Sequence, residues 1–236
     1  DALCGTGNEE LEMKALAEKL SIPFECYHYY DDGNENFHDK AHVMRYNFYK
    51  SVADKYNTKT ITTAHHLDDQ AETVIMRLIS GSNLYGYAGI SNKLSVDGYV
   101  FVRPLLCINK NDIYEYVKEN GLTYFEDASN DEDDYLRNRI RHHIIPLLKK
   151  ENPNLLNQIN DYSTIVKEAF NYIRKDSINY LNIHKNIIDI DSFKPLDISL
   201  KKDIICLLFE TYNLEKTNNL INICSFSLSI SLSYSK

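Results

Sequence analysis

The chain has 236 residues, 43% of them hydrophobic, and a formal net charge of −8. That is room for one large domain, or one domain plus a smaller one, and the acidic balance excludes a surface that attracts nucleic acid everywhere, so any RNA contact must use a local basic patch. No apolar run reaches a transmembrane length, no N-terminal signal pattern is visible, and the five scattered cysteines (Cys4, Cys26, Cys107, Cys206, Cys224) form no C-x-x-C pair, which argues against a zinc ribbon, an iron–sulfur site or a disulfide scaffold and suits a reducing, cytoplasmic setting.

The chain begins at Asp1, and residues 1–8 carry no assignable pattern. Residues 9–20 read as a helix, with Leu11, Ala15, Leu16 and Leu20 at helical spacing behind an acidic start. Ser21-Ile22-Pro23 stops it, residues 24–30 read as a strand, and residues 31–36 form a polar loop. Asn36 or Asp39 can cap a second helix that runs through Tyr56 and turns Val43, Tyr46, Phe48, Tyr49 and Val52 inward. Asn57 ends it and a strand follows over 60–63. Strand, helix and strand in this order predict an α/β fold: a Rossmann-like parallel sheet with right-handed crossovers, flanked by helices.

The densest polar stretch comes next: Thr62-Thr63-Ala64-His65-His66-Leu67-Asp68-Asp69-Gln70-Ala71-Glu72-Thr73. It lies where that strand hands over to a helix ending near Ile79. In parallel sheets, ligands collect at the carboxyl ends of the strands. Asp68 and Asp69, with Glu72 one turn later, can bind a divalent ion or orient donors, and His65 and His66 can meet phosphate or base edges. The same residues can also serve as a helix cap, with Asp68 or Asp69 at the N-cap and Glu72 completing a capping box. Both can hold at once, and the packing of the stretch favours a functional role.

The helix breaks at residues 80–83, and residues 84–90 read as a glycine-rich turn that lets the backbone approach a ligand or a neighbour. A strand over 99–102 ends at Arg103, on the ligand edge of the sheet. Asn111 or Asp112 starts a helix that closes at Asn120-Gly121. An acidic loop then runs into a basic helix, in which Arg137 and Arg141 share a face and Arg139 turns to solvent. The shared-face pair suits phosphate or carboxylate, or else ion pairs with Asp131 to Asp134. In His65-His66 and His142-His143, neighbouring side chains point apart, so neither pair alone makes a metal site. Pro146 and Pro153 bracket a linker over 147–152. This places one domain at 1–148 and a smaller, mostly helical one at 149–236, with a helix over 155–181, a short strand over 187–190 and a helix over 200–212. The tail, residues 225–234, alternates Ser with apolar residues at a strand period.

Six stretches in order carry a resemblance. They are Ala64 through Thr73, Arg77-Leu78-Ile79-Ser80-Gly81-Ser82, Gly86-Tyr87-Ala88-Gly89-Ile90, Arg103-Pro104-Leu105-Leu106, Asp127-Ala128-Ser129-Asn130, and Tyr135 through Arg141. Together they resemble the tRNA(Ile)-lysidine synthetases, N-type ATP pyrophosphatases of the PP-loop family with an adenine nucleotide alpha hydrolase-like fold. The resemblance implies ATP and Mg2+ as cofactors. It implies adenylation of C2 of the wobble cytidine in the CAU-anticodon isoleucine tRNA, then attack by free L-lysine to give lysidine. It implies catalytic roles for His65, His66, Asp68, Asp69 and Glu72, with Asp68 and Asp69 at the metal. Arg45, Arg77, Arg103, Asp127, Asn130, Arg137, Asn138 and Arg141 would hold tRNA, lysine or adenylate. A cytoplasmic enzyme with no membrane contact, open to homodimer formation, fits the same picture.

The chain departs from the family pattern twice. The Ser-Gly-Gly-x-Asp-Ser loop that cradles pyrophosphate does not occur in it, which points to an N-terminally incomplete chain. The family's Ala-Arg-x-x-Arg-Tyr reads Ala41-His42-Val43-Met44-Arg45-Tyr46, keeping Arg45 alone. Two other readings compete. One is a tRNA 2-thiolation enzyme of the same core, which would need paired cysteines. The other is a degenerate, non-catalytic RNA-binding remnant.

Overall fold

Phe101 sits at the centre of a small sheet, with Val100 and Val102 beside it in the chain and Ile61 and Leu94 opposite it on the neighbouring strands. The computed structural model describes residues 7–28, 37–125 and 133–212. They divide into two compact units, one of residues 1–70 and 91–147, the other of 71–90 and 148–236. In the first, helices α1 (Gly7–Lys19) and α2 (Phe37–Lys55) precede strand β1 (Thr60–Thr62), and helix α3 (Leu67–Ser80) begins there. A helical turn, α4 (Leu84–Tyr87), belongs to the second unit. Strands β2 (Lys93–Val96) and β3 (Tyr99–Val102) then return to the first, followed by a 3-10 turn (Pro104–Cys107) and helix α5 (Lys110–Glu119).

The sheet has the order β1-β3-β2. β1 runs parallel to β3, with Ile61 opposite Phe101, and β2 runs antiparallel to β3, with Leu94 opposite the same Phe101. Phe101 is fully buried with Tyr99 and Ala53, against Tyr46, Tyr49, Ile61 and Leu94. Burying one such ring stabilises the unit by about 1.5–3 kcal/mol. The sheet is therefore mixed rather than wholly parallel. The antiparallel addition is a hairpin closed by Asp97-Gly98, both at positive φ (52° and 80°), the backbone that a two-residue turn demands.

The strand expected over 24–30 is not formed within its described part. Residues 22–28 make no ladder, and residues 29–30 lie outside the described residues. The physical reason is the lack of a partner. β1 bonds to β3 alone within the described sheet, and Ile22, Pro23, Phe24 and Glu25 face Thr60, Ile61 and Thr62 across a cavity of about 630 Å3. Pro23 also has no N–H to give a ladder. Instead Glu25 accepts hydrogen bonds from Lys55 Nζ and Tyr56 Oη, each at 2.6 Å, which anchors the segment to the end of α2.

α5 starts one residue earlier than expected, because Asn109 is its N-cap and accepts from the Asp112 N–H at 3.0 Å. It ends where expected. Gly121 takes φ +58° and Leu122 N–H returns to Val117 O at 2.9 Å, a left-handed helix stop. Further on, helix α6 (Leu136–Arg139) passes into a π-helical turn (Ile140–Ile144) and then helix α7 (Ile145–Glu151). The expected linker over 147–152 is thus largely helical. Pro146 lacks the N–H that would bond the His142 carbonyl, and the Ile145 N–H reaches back five residues to Ile140 O. The wider turn accommodates a proline that a regular helix would not.

In the second unit, helix α8 (Leu155–Ile183) packs with a helical turn, α9 (Ile190–Phe193), and helix α10 (Ile198–Thr211). Tyr180, Leu181, Phe193, Ile204, Ile205 and Cys206 form their buried core. The strand expected over 187–190 does not form. Asp189 caps α9 by accepting the Ser192 N–H at 3.0 Å, so Ile190 opens a helical turn. In α4 the one glycine, Gly86, serves a close approach of the chain to itself. Gly86 N–H donates to Asn83 Oδ1 at 2.8 Å, and a Cβ on Gly86 would lie 1.9 Å from Ser82 Oγ. Among the described residues, no helix is long and apolar enough to cross a membrane. The alternating tail lies outside the described residues.

Candidate functional site

Because β1 and β3 are parallel neighbours, the segments leaving their carboxyl ends emerge at one edge of the sheet. One segment carries Thr63 to Asp69, and the other begins with Arg103. The α6 turn contributes Arg137, which reaches Asp69 from 68 residues away.

Asp69 is the hub. Its Oδ1 accepts from Arg137 Nη2 at 2.9 Å, and its Oδ2 accepts the His66 backbone N–H at 2.9 Å. The second bond is half of a capping box placed one turn earlier than expected. α3 begins at Leu67, so His66 precedes the helix and Asp69, not Glu72, reaches back to its N–H. Glu72 is instead buried on α3. Asp68 Oδ2 accepts the Lys110 backbone N–H at 2.8 Å, so it covers the first turn of α5 while standing in the first turn of α3. Both carboxylates thus lie at helix N-termini, where the backbone dipole favours negative charge. His66 Nδ1 is 3.9 Å from Asp68 Oδ2, its Nε2 is 3.5 Å from Asp69 Oδ2, and Nδ1 is buried without a hydrogen-bond partner.

His65 pairs its Nδ1 with Thr63 Oγ1 at 2.9 Å. Burial pushes its pKa down, the Asp69 charge opposes this, and Arg103 and Arg137 push it down further. The neutral imidazole is therefore favoured at pH 7, under the charges of two guanidinium groups and one carboxylate. Arg103 is buried. Its Nη1 donates to the Ser91 carbonyl at 2.7 Å, and its Nε has no hydrogen-bond partner.

The structure brings His65, His66, Asp68, Asp69, Arg103 and Arg137 together in the first unit. Other expected residues stand differently. Arg45 is half-buried on α2, where its charge acts on Tyr49. Arg77 is exposed in the last turn of α3. Asn138 is buried on α6, and Arg141 is half-buried within the π-helical turn. Asp127 and Asn130 lie outside the described residues. Of the shared-face pair in the basic helix, Arg137 meets a carboxylate. Arg137 pairs with Asp69 of the site, while Arg139, exposed, donates to the carbonyl oxygens of Asp133 and Asp134 at 2.9 and 2.8 Å. Sequence reading missed the Lys110 N–H and the Ser91 carbonyl. Both act through the backbone, which leaves no side-chain signal to read.

As a magnesium site, Asp68 and Asp69 do not make a cage. Among the described residues they join no cluster of three metal-ligand side chains. Mg2+ is commonly held by one or two carboxylates together with substrate phosphates, and Asp68 and Asp69 supply two adjacent carboxylates. The donor set fits that mode.

Comparison with known proteins gives one family and a set of relatives. The model of the PP-loop domain matches residues 6–148. The chain is 34% identical over 200 residues to the tRNA(Ile)-lysidine synthase of Aster yellows witches'-broom phytoplasma, covering 81% of this chain and 46% of that protein. It is 41% identical over 140 residues to the tRNA(Ile)-lysidine synthase of Enterococcus faecalis, covering 59% of this chain and 30% of that protein. With the Streptococcus pyogenes tRNA(Ile)-lysidine synthase the identity is 35% over 224 residues, covering 89% and 50%. The chain thus spans half or less of the length of these curated relatives. Among solved structures, a U34-tRNA thiolase from Methanococcus maripaludis with its [4Fe-4S] cluster superposes with a TM-score of 0.56 at 18% identity, over 67% of this chain and 56% of that one. That likeness is one of fold.

Proposed function

The chain belongs to the PP-loop domain family, and from that premise we propose that it contributes the catalytic part of a tRNA(Ile)-lysidine synthase, joining free lysine to C2 of the wobble cytidine of the CAU-anticodon isoleucine tRNA at the expense of ATP. One observation carries the reading: the Asp69–Arg137 pair beside a neutral, half-buried His65, at the shared carboxyl edge of β1 and β3. In the first step the C2 carbonyl oxygen attacks the α-phosphorus of ATP and pyrophosphate leaves. Arg137 and Arg103 offset the negative charge that develops on the departing group. Asp68 and Asp69 would hold Mg2+, which would supply Lewis-acid stabilisation of phosphate charge.

In the second step the lysine amine attacks C2, AMP leaves, and the amine nitrogen sheds its proton to a base. His65 suits that task. Burial favours its neutral form, and in the tautomer whose Nδ1–H donates to Thr63 Oγ1, Nε2 is the nitrogen that accepts the proton. The relatives' names specify tRNA and lysidine, so we assign tRNA and free lysine as substrates.

The test is pyrophosphate release from ATP by the full-length protein, with the CAU-anticodon tRNA present and lysine added or omitted. Release that depends on the tRNA, followed by lysine incorporation into it, supports the proposal. Tight tRNA binding without any release would make the chain an RNA-binding remnant. Release coupled to sulfur transfer would place it with the thiolating enzymes.

A further inference from the structure

Two adjacent histidines on a regular helix diverge, yet His142 and His143 converge on one carboxylate. His142 Nδ1 lies 2.9 Å from Asp133 Oδ1, and His143 Nε2 lies 2.6 Å from Asp133 Oδ2. Convergence has two causes. The residues sit in the π-helical turn (Ile140–Ile144), whose five-residue backbone bond changes the angle between neighbours. In addition, one ring uses its near nitrogen and the other its far nitrogen, with the ring centroids 6.0 Å apart and the planes close to perpendicular at 84°. Asp133 is fixed from its own backbone, since Arg139 Nη1 donates to its carbonyl oxygen at 2.9 Å. None of these three side chains takes part in the site proposed for lysidine formation.

We propose that Asp133, His142 and His143 form a binding site for a divalent transition-metal ion of the zinc class. The three ligand atoms lie within 4.8 Å of one another. Two imidazole nitrogens and one carboxylate oxygen are the donor set that such ions take, and hard ions such as Mg2+ do not favour it. With bonds of about 2.0–2.1 Å, a tetrahedral ion sets its ligand atoms about 3.3 Å apart. The two carboxylate contacts, now 2.9 and 2.6 Å, would open toward that spacing and the widest separation, within 4.8 Å, would close toward it, through side-chain rotation. His143 is 61% exposed, so an ion and a fourth, water ligand can enter from solvent. The bound ion would tie Asp133, ahead of α6, to the turn that follows α6. It would thereby clamp the helix that presents Arg137 to Asp69.

The experiment is calorimetric titration of Zn2+ into the intact chain, compared with His143→Ala and with the double variant His142→Ala/His143→Ala. His143→Ala removes an exposed ring, and circular dichroism before titration checks that each variant is folded. Loss of one ligand should weaken Zn2+ binding by about 10-fold or more, and loss of two by about 100-fold or more. Co2+ in place of Zn2+ should give a visible spectrum of a tetrahedral site without sulfur-to-metal charge transfer. A second cluster, Glu10, Cys26 and His28, contains a thiol and would show that transfer. The proposal is overturned if the wild-type chain binds no Zn2+, if a folded His143→Ala binds it equally well, or if the Co2+ spectrum reports a thiolate ligand.

Discussion

Replacing Asp69 with Asn separates its structural work from its chemical work. The Asn oxygen can still accept the His66 N–H, so the capping bond survives, while the charge that holds Arg137 is lost. Asp69 is 14% exposed but Arg137 is 38% exposed, so the pair lies between the two measured regimes. Exposed pairs contribute about 0.2–1 kcal/mol, and breaking a buried pair costs about 3–5 kcal/mol. Discounted for the solvent around Arg137, Asp69→Asn should lose about 1–2 kcal/mol of stability. A cycle with Arg137→Gln should show a coupling of about 1 kcal/mol, read from urea unfolding of the four proteins. Asp69→Ala should lose about 1 kcal/mol more than Asp69→Asn, because the cap goes as well. Turnover should fall much further than stability, by about 100-fold or more in Asp69→Asn, as for removal of a group that orients charge in the transition state. Additive stabilities in the cycle would refute the pairing. Turnover within a few-fold of wild type would return Asp69 to the role of a helix cap.

Other tests follow from the same geometry. His65 has its pKa lowered from 6.5, so the unfolded chain binds more protons there, and stability is present above about pH 6.5 and lost as the pH falls through the folded value. Its ring resonances should titrate below 6.5; a midpoint at or above that value would contradict the buried, cation-flanked setting. Asp203 on α10 behaves oppositely. Burial raises its pKa from 3.8 even though Arg174 Nη2 lies 2.9 Å from Oδ1, so its contribution is greatest at acid pH and declines as the pH rises through the folded value. Asp203→Asn should flatten that part of the stability profile, with Arg174 keeping Glu210 at 2.9 Å; an unchanged slope in chemical denaturation across the acid range would be inconsistent with this. Phe193→Ala should cost the second unit about 3–5 kcal/mol, since the ring is 1% exposed at the centre of its core, and a loss below about 1 kcal/mol would mean that the core closes over the gap.

The sequence made some of this legible for identifiable reasons. α2, α5, α8 and α10 announced themselves through apolar spacing, and α5 also through its Asn-Gly stop. β3 was visible as an aromatic and β-branched run. β2 was overlooked although its signal was present, for Asp97-Gly98 between alternating residues is a hairpin turn in two letters. The errors elsewhere share a cause. Residues 24–28 have the composition of a strand, but a strand exists only with a partner, and partners are tertiary facts. Residues 187–190 are apolar, but the carboxylate of Asp189 competes for the backbone and wins with a cap. The π-helical turn lies in no composition rule, yet Pro146 is its mark, because a proline inside a helical run removes one donor and forces the preceding turn to open.

The site shows the same division with more at stake. That His65 to Asp69 lie at the end of a strand could be read from local pattern alone, because strand, polar turn and helix follow one another without a gap. That Asp69 meets Arg137, and Asp68 the Lys110 N–H, could not, because the partners are 68 and 42 residues distant and one of them is backbone. This bears on what the two carboxylates are for. A cap needs only an acceptor at a helix start, and either Asn or Asp supplies it. Asp69 does more, since it holds a guanidinium beside a histidine kept neutral by burial and by Arg103. Capping sets the position of the charge, and the charge holds Arg137 in the site, next to an imidazole that burial keeps neutral. The two roles are therefore successive consequences of placing a carboxylate where β1 gives way to α3.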